Sequence, residues 1–224
     1  MIYNINRRKF IELFSYGCCG LVLPSCSTVP ITERRQLSIY PESSINRSAA
    51  KAYENFKTKN KLIISGKQID AIKEIGKRIE FAVSSFFLKE KGEDPTANFQ
   101  WDYILVDNDK VKNAWCMPGG KIAVYTGILK VTQNDNALAA VMGHEIAHAV
   151  AKHSVERASQ ALTVNIGSQV ADIFLGGAIS RARNTIGQSS GMDIFQLGIF
   201  NPFGRKQETE ADYLGLIFSS LGGY

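Results

Sequence analysis

The chain of 224 residues has little cysteine, little histidine and no long uninterrupted apolar run. Of its four cysteines, Cys18, Cys19 and Cys26 lie near the N-terminus, which excludes a disulfide framework for the folded part. The apolar stretch 13–23 is too short to span a bilayer comfortably. The sequence also lacks internal repeats and any interleaving of aromatic and basic residues. A repeat protein and a nucleic-acid partner are therefore excluded.

The remaining composition is that of an ordinary globular protein. Hydrophobic residues make up 45%, and the length suits one domain with a sizeable core. The net charge is +5, but residues 1–25 contribute three basic residues and one acidic residue. Without them, 23 basic and 20 acidic residues leave +3. This mild positive balance is compatible with a position near an anionic membrane surface.

The N-terminus has the features of a targeting segment. A basic run at Arg7-Arg8-Lys9 precedes the short apolar stretch, and Leu23-Pro24-Ser25-Cys26 resembles a lipobox. We predict that residues 1–25 are a lipoprotein-type signal peptide and that Cys26 is lipidated after cleavage. The alternative is that residues 1–25 remain as an uncleaved anchor in the inner membrane. The Arg-Arg run leaves both the general and the twin-arginine export routes open.

Residues 26–45 are polar and contain two prolines, which predicts a tether, and residues 46–224 form the folded domain. Ser27 follows the lipidated position and is not the Asp that retains some lipoproteins in the inner membrane. We therefore expect a lipid anchor in the bacterial outer membrane, with the domain on the periplasmic side.

Residues 144–148 read His-Glu-Ile-Ala-His, the pattern of zinc metallopeptidases when it lies on a helix. Helical spacing places His144 and His148 on one face, about one turn apart, so both imidazoles can bind one Zn²⁺. Glu145 lies beside them and can act as general base toward a metal-activated water. The alternative is a chance pentapeptide with solvated histidines.

The flanking sequence favours a buried helix. Segment 134–160 has no proline, is rich in alanine, and offers Asn134 or Asn136 as a cap. A buried His-Glu-His cluster without a partner would be costly, which favours a metal site.

A third metal ligand must come from elsewhere in the chain. If the helix continues, His153 points about 140° away from His148 and cannot reach the same ion, so we expect it to be exposed or capping. The longer motif that ends in a third histidine also fails, because position 151 is Ala. Cys116 is a poor alternative, since it belongs to a predicted strand. A downstream carboxylate is therefore expected.

Segment 205–215 supplies the candidate carboxylates. Glu208 and Asp212 are four residues apart and share a helix face, whereas Glu210 lies about 160° away. We expect Glu208 to bind the metal and Asp212 to orient a ligand histidine through its distal nitrogen. The alternative is a solvated acidic face on a surface helix.

The remaining segments predict an α+β fold, mostly helical, in which a small sheet packs beside the two ligand-bearing helices. Apolar residues at helical or alternating spacing, and a Pro-Gly-Gly turn, carry this prediction. Two apolar, Gly-rich segments, 161–178 and 190–200, are expected to cover the cleft. Helices are predicted at 46–58 and 67–87, and strands at 99–106, 111–117 and 121–126.

Taken together, these motifs resemble the membrane-associated gluzincin metallopeptidases, which include HtpX-type, BepA-type and CAAX prenyl proteases. The resemblance rests on Gly-His-Glu-Ile-Ala-His, on Glu208-Thr-Glu-Ala-Asp212 and on the strand-turn-strand 113–127. The early segment 26–43 resembles the bacterial lipoprotein branch. The resemblance implies zinc on His144, His148 and Glu208, Glu145 as base and Asp212 as supporting carboxylate. It also implies a chain truncated at the C-terminus, since relatives continue beyond residue 224.

The function implied is a zinc-dependent endopeptidase, with one zinc per chain, that acts on misfolded or misassembled cell-envelope proteins. An extended substrate can pair with an edge strand, and Asn113, Ala114 and Trp115 resemble the substrate-binding strand of gluzincins. The alternative is that these three residues only fill the sheet. A second function stays open, a zinc-stabilised, chaperone-like binding module with little or no catalysis. Intact Glu145 favours the enzyme, because a binder needs no base there.

Overall fold

The computed structural model describes residues 26–174 and 204–224, and side chains outside 164–203. The signal peptide predicted at 1–25 lies outside the described residues, as does segment 190–200. Of the predicted cover at 161–178, the backbone is described as helical as far as residue 174. The helices are α1 (Glu42–Lys59), α2 (Lys67–Lys91), α3 (Thr126–Thr132), α4 (Asp135–Val150), α5 (His153–Phe174) and α6 (Arg205–Leu221). The strands are β1 (Cys26–Thr28), β2 (Arg35–Leu37), β3 (Leu62–Ile63), β4 (Asp102–Val106), β5 (Ala114–Met117) and β6 (Lys121–Tyr125).

The main sheet has four strands in the order β3-β4-β6-β5. Strands β4 and β6 are parallel, and the other pairs are antiparallel. The β5–β6 hairpin turns through Gly119 and Gly120, which have φ values of 81° and 80°. A Cβ at Gly120 would lie 2.7 Å from the Trp101 ring, so this turn requires glycine for both conformation and space. The hairpin leaves β5 at the sheet edge.

Both faces of the sheet are covered by helices. On one face, Ala49 and Tyr53 of α1 pack against Ile104 and Val106 of β4. On the other face, Tyr103 and Leu105 join the larger core formed with α2, α4 and α6. Alternate residues of β4 thus point to two helical layers. The predicted α+β fold, with a small sheet beside two site-bearing helices, is confirmed.

Helix α2 follows the apolar stripe that predicted it and extends four residues further, to a left-handed cap at Gly92. Helix α1 likewise begins earlier than predicted, at Glu42. Asn134 caps α4, and its side chain accepts a hydrogen bond from the Ala137 amide at 2.9 Å. No helix within the described ranges combines the length and apolar character needed to cross a membrane.

Segment 26–45 differs from the predicted tether. Strands β1 and β2 pair as an antiparallel hairpin, hereafter the N-terminal hairpin (residues 26–37). Val29 within it is only 1% exposed and joins the main core. Arg34 reaches α5 and α6 through ion pairs to Glu156 and Glu210. Part of the polar character of the segment therefore serves contacts with the domain, through Arg34 and through Thr32, which donates to Glu210.

Candidate metal centre

Helices α4 and α6 bring the candidate site together because their backbones touch. A Cβ at Gly143 would lie 2.7 Å from the Gly215 carbonyl oxygen. A Cβ at Gly215 would lie 2.7 Å from both the Cα and the amide nitrogen of His144. Only glycine at both positions allows this approach. The contact places the start of α6, with Glu208, beside the two histidines of α4.

Three side chains converge at this contact. The Nε2 atoms of His144 and His148 lie 3.1 Å apart. The carboxylate oxygens of Glu208 lie 3.5 Å from His144 Nε2 and 3.7 Å from His148 Nε2. One ligand atom from each residue falls within 4.8 Å of the others, so the three side chains could hold one metal ion. Two imidazoles and a carboxylate are a donor set that suits zinc and leaves a fourth position open.

The distal nitrogen of each histidine lies within hydrogen-bond distance of a neighbouring side chain. His144 Nδ1 lies 2.8 Å from Asp212 Oδ1. His148 Nδ1 lies 2.8 Å from His153 Nδ1. A histidine that binds a metal through Nε2 commonly donates its Nδ1–H to such a neighbour. Asp212 therefore lies within hydrogen-bond distance of His144, and its role in orienting that ring stays a prediction.

His153 is the residue for which the sequence prediction was wrong. It is fully buried rather than exposed, and it contacts His148 directly. The error came from treating 134–160 as one helix. Helix α4 ends at Val150, Lys152 adopts a left-handed φ of 55°, and α5 begins at His153. This break turns His153 back toward His148, and no glycine in the sequence announces it.

Glu145 is half-buried beside the metal ligands. Burial raises its pKa to about 8, and the nearby Glu208 carboxylate acts in the same direction. A hydrogen bond from the Cys116 backbone amide opposes this shift. The bond also orients the carboxyl group toward β5. A carboxyl group in this environment can exchange a proton near neutral pH.

Burial also controls the charge of the histidines. It lowers the pKa of His148 to about 2, assisted by the neighbouring His153 and His144. The pKa of His153 is lowered as well, mainly by burial and against the influence of Glu210. Both rings are therefore neutral at ordinary pH. A neutral imidazole is the form that binds a metal ion.

The segment predicted to bind substrate lies at the edge of the sheet. Within the described part of the chain, no strand pairs with the outer side of β5. The Tyr125 amide donates to the Asn113 carbonyl, so Asn113 faces β6. Because antiparallel pairs alternate, Ala114 and Cys116 direct their main-chain groups to the outer edge. The Trp115 side chain packs against Phe56, with ring centroids 5.0 Å apart, and so fills the sheet face.

The sequence of the chain is similar to known proteins. The model of peptidase family M48 matches residues 74–224. The chain is 35% identical over 126 residues to the mitochondrial metalloendopeptidase OMA1 of Schizosaccharomyces pombe, which covers 55% of this chain and 34% of that protein. It is 38% identical over 124 residues to the Arabidopsis thaliana protein of the same name, covering 55% of this chain and 23% of that protein.

A bacterial relative is the beta-barrel assembly-enhancing protease of Yersinia pestis. Identity is 28% over 125 residues, which covers 54% of this chain and 25% of the relative. The matched regions thus span no more than about a third of these relatives. The family match covers well over half of this chain and includes His144, Glu145, His148 and Glu208. The resemblance seen in the sequence is therefore confirmed, and the chain belongs to peptidase family M48.

Proposed function

We propose that the protein is a zinc-dependent endopeptidase in which Glu145 is the general base. The observation that carries this proposal is the convergence of His144 Nε2, His148 Nε2 and a Glu208 carboxylate, with Glu145 beside them. Membership of a peptidase family also supports a peptidase function. Zinc bound there would polarise a water molecule and the carbonyl of the scissile peptide bond.

The protein's own residues have separable tasks in this proposal. His144, His148 and Glu208 hold the metal, and Asp212 fixes the orientation of His144 through its Nδ1. Glu145 takes a proton from the attacking water and returns it to the leaving amine. The Cys116 amide holds the Glu145 carboxyl group in place through its hydrogen bond.

An extended substrate is expected to pair with the outer edge of β5. The Ala114 N–H and C=O and the Cys116 C=O are the main-chain groups that point there, while the Cys116 N–H is engaged by Glu145. Pairing of this kind binds the peptide through its backbone, with little dependence on side chains. In segment 113–115, Ala114 therefore makes the direct contacts, and Asn113 and Trp115 hold the strand in the sheet.

We infer that the substrates are misfolded or misassembled proteins of the cell envelope. Main-chain recognition at an open edge requires an extended peptide, which a folded protein rarely presents. The Yersinia pestis relative is named a beta-barrel assembly-enhancing protease, which supports an envelope role. The lipobox-like sequence before Cys26 supports a lipid anchor in the outer membrane, facing the periplasm. An uncleaved anchor in the inner membrane is the alternative.

The test compares wild type with Glu145→Gln and with Glu54→Gln, a surface control whose side chain is 66% exposed. Glu145→Gln keeps the size of the side chain and all three ligands, so about one zinc per chain should remain bound by elemental analysis. Cleavage of casein should fall by about 10²–10⁴-fold, the usual contribution of a general base. Glu54→Gln should cleave at the wild-type rate.

Other outcomes have distinct meanings. If Glu145→Gln cleaves casein as fast as wild type, Glu145 is not the base. If wild type and Glu145→Gln both fail to cleave casein, yet both suppress aggregation of a client protein, the binding-module alternative is correct. If no zinc is found after reconstitution, the metal site itself is refuted.

A further inference from the structure

The metal ligand His148 has a second buried histidine as its neighbour. His153 is the first residue of α5, and its Nδ1 lies 2.8 Å from His148 Nδ1. On its other side, His153 Nε2 lies 2.9 Å from Glu210 Oε2. All three residues are less than a tenth exposed. A buried polar chain of this kind is stable only if every donor meets an acceptor.

The order of donors in this chain can be deduced. If His148 binds a metal through Nε2, its proton is on Nδ1, and that N–H must donate to His153 Nδ1. His153 then carries its own proton on Nε2 and donates it to Glu210. A neutral imidazole has one donor and one acceptor, so each tautomer fixes the next. The chain ends on the Glu210 carboxylate. In its charged form this group has no proton to donate, so it can act only as an acceptor.

The N-terminal hairpin anchors that carboxylate. Arg34 Nε donates to Glu210 Oε2 at 2.8 Å, and the Thr32 hydroxyl donates to Glu210 Oε1. With the contact from His153, three side chains thus converge on the Glu210 carboxylate and fix its position. Glu210 has no role in the sequence prediction, because it faces away from the metal.

We propose that Glu210 and His153 are positioning residues, anchored by Arg34 of the N-terminal hairpin, that hold His148 in its metal-binding orientation and tautomer. The proposal rests on His148 being a ligand, as in the proposed function. It adds that the hairpin before α1 is coupled to the metal centre. Neither positioning residue touches the metal, so both act through His148.

The first test reads the tautomers and needs no variant. The full-length protein is labelled with ¹⁵N-histidine, stripped of metal, and its three histidines are followed by long-range ¹⁵N–¹H NMR. We expect His148 to carry its proton on Nδ1 and His153 on Nε2 before any zinc is added. A metal-free protein in which His148 carries its proton on Nε2 would overturn the proposal. This measurement involves no cleavage, so failure of the peptidase activity would not affect it.

The second test uses a matched pair of variants. Glu210 and Glu156 are both 7% exposed, and each accepts from Arg34 at 2.8 Å. Glu210 also lies 2.9 Å from His153 Nε2, whereas Glu156 acts on His153 through its charge. Zinc affinity of the full chain is measured by competition with a chromogenic chelator. Glu210→Gln should weaken zinc binding by about 10–100-fold, the typical effect of removing a group that supports a ligand. Glu156→Gln should leave zinc affinity within about twofold of wild type.

Thermal unfolding of the metal-free variants separates positioning from general damage. Both substitutions remove a charged partner of Arg34, so both should lower the melting temperature to a similar extent. Equal losses of zinc affinity in the two variants would refute the proposal. If Glu210→Gln does not fold, Thr32→Val removes one donor to Glu210 more gently. That variant should shift zinc affinity in the same direction by a smaller factor, and an unchanged affinity would count against the coupling.

Discussion

Replacing Gly215 by alanine should damage the metal centre although Gly215 touches no metal. The new Cβ would lie 2.7 Å from the Cα and amide nitrogen of His144, whereas ordinary contacts begin near 3.4 Å. The obstructing atoms are backbone, so a rotamer change cannot relieve the overlap. Helix α6 must therefore move away from α4 by at least about 0.7 Å to restore ordinary packing distances.

This displacement of α6 would move the metal ligand Glu208 relative to His144 and His148. Glu208 precedes Gly215 by about two helical turns and lies on the same side of α6. Metal–ligand distances tolerate only about 0.2 Å of error, so zinc affinity should fall by about tenfold or more. Stability should change less, because overpacking costs about 1–3 kcal/mol while the gain in helix propensity offsets about 1 kcal/mol.

The control is Gly204→Ala at the start of the same helix, where a Cβ would meet nothing within 4 Å. Zinc affinity would be measured by chelator competition and stability by urea unfolding. Gly204→Ala should bind zinc within about twofold of wild type. If Gly215→Ala also binds zinc like wild type, the contact between the α4 and α6 backbones does not set the geometry of the site.

Three other substitutions test the core, with one of them as its control, and the anchor. Phe218→Ala removes a fully buried ring that packs 6.3 Å from Phe87, and should lower the free energy of unfolding by about 3–5 kcal/mol. Leu216→Ala, 66% exposed on the same helix, should change it by less than about 0.5 kcal/mol, and similar losses in urea unfolding would contradict the core assignment. Cys26→Ser should release the protein from membranes at alkaline extraction, because acylation needs the thiol. Continued membrane association would mean that residues 1–25 act as an uncleaved anchor.

Local patterns in the sequence predicted the parts of the fold that local interactions determine. The isoleucine stripe of α2, the Pro-Gly-Gly turn and the Asn134 cap each depend on residues a few positions apart. The candidate ligands were predictable for the same reason. His144 and His148, and Glu208 and Asp212, are each four residues apart on one helix face.

Features that depend on distant contacts were not predictable. Lys152 has a left-handed conformation without being Gly or Asn, and its side chain pairs with Glu42 of α1 at 2.7 Å. The helix break at Lys152 and the burial of His153 depend on tertiary contacts of this kind, between residues far apart in the sequence. The N-terminal hairpin was missed because it is held to the domain by the ion pairs of Arg34 with α5 and α6, which composition alone cannot reveal.

The N-terminal hairpin also limits where a lipid-anchored form of this protein could act. A flexible tether of twenty residues could extend by about 65–70 Å and let the domain search a deep layer of the periplasm. Strand β1 instead starts at Cys26 itself, and Val29 is already in the core. If Cys26 carries lipid, almost no slack remains between the bilayer and the domain. The active site would then stay within about one domain diameter of the bilayer, and only polypeptides that emerge at the membrane surface would come within reach.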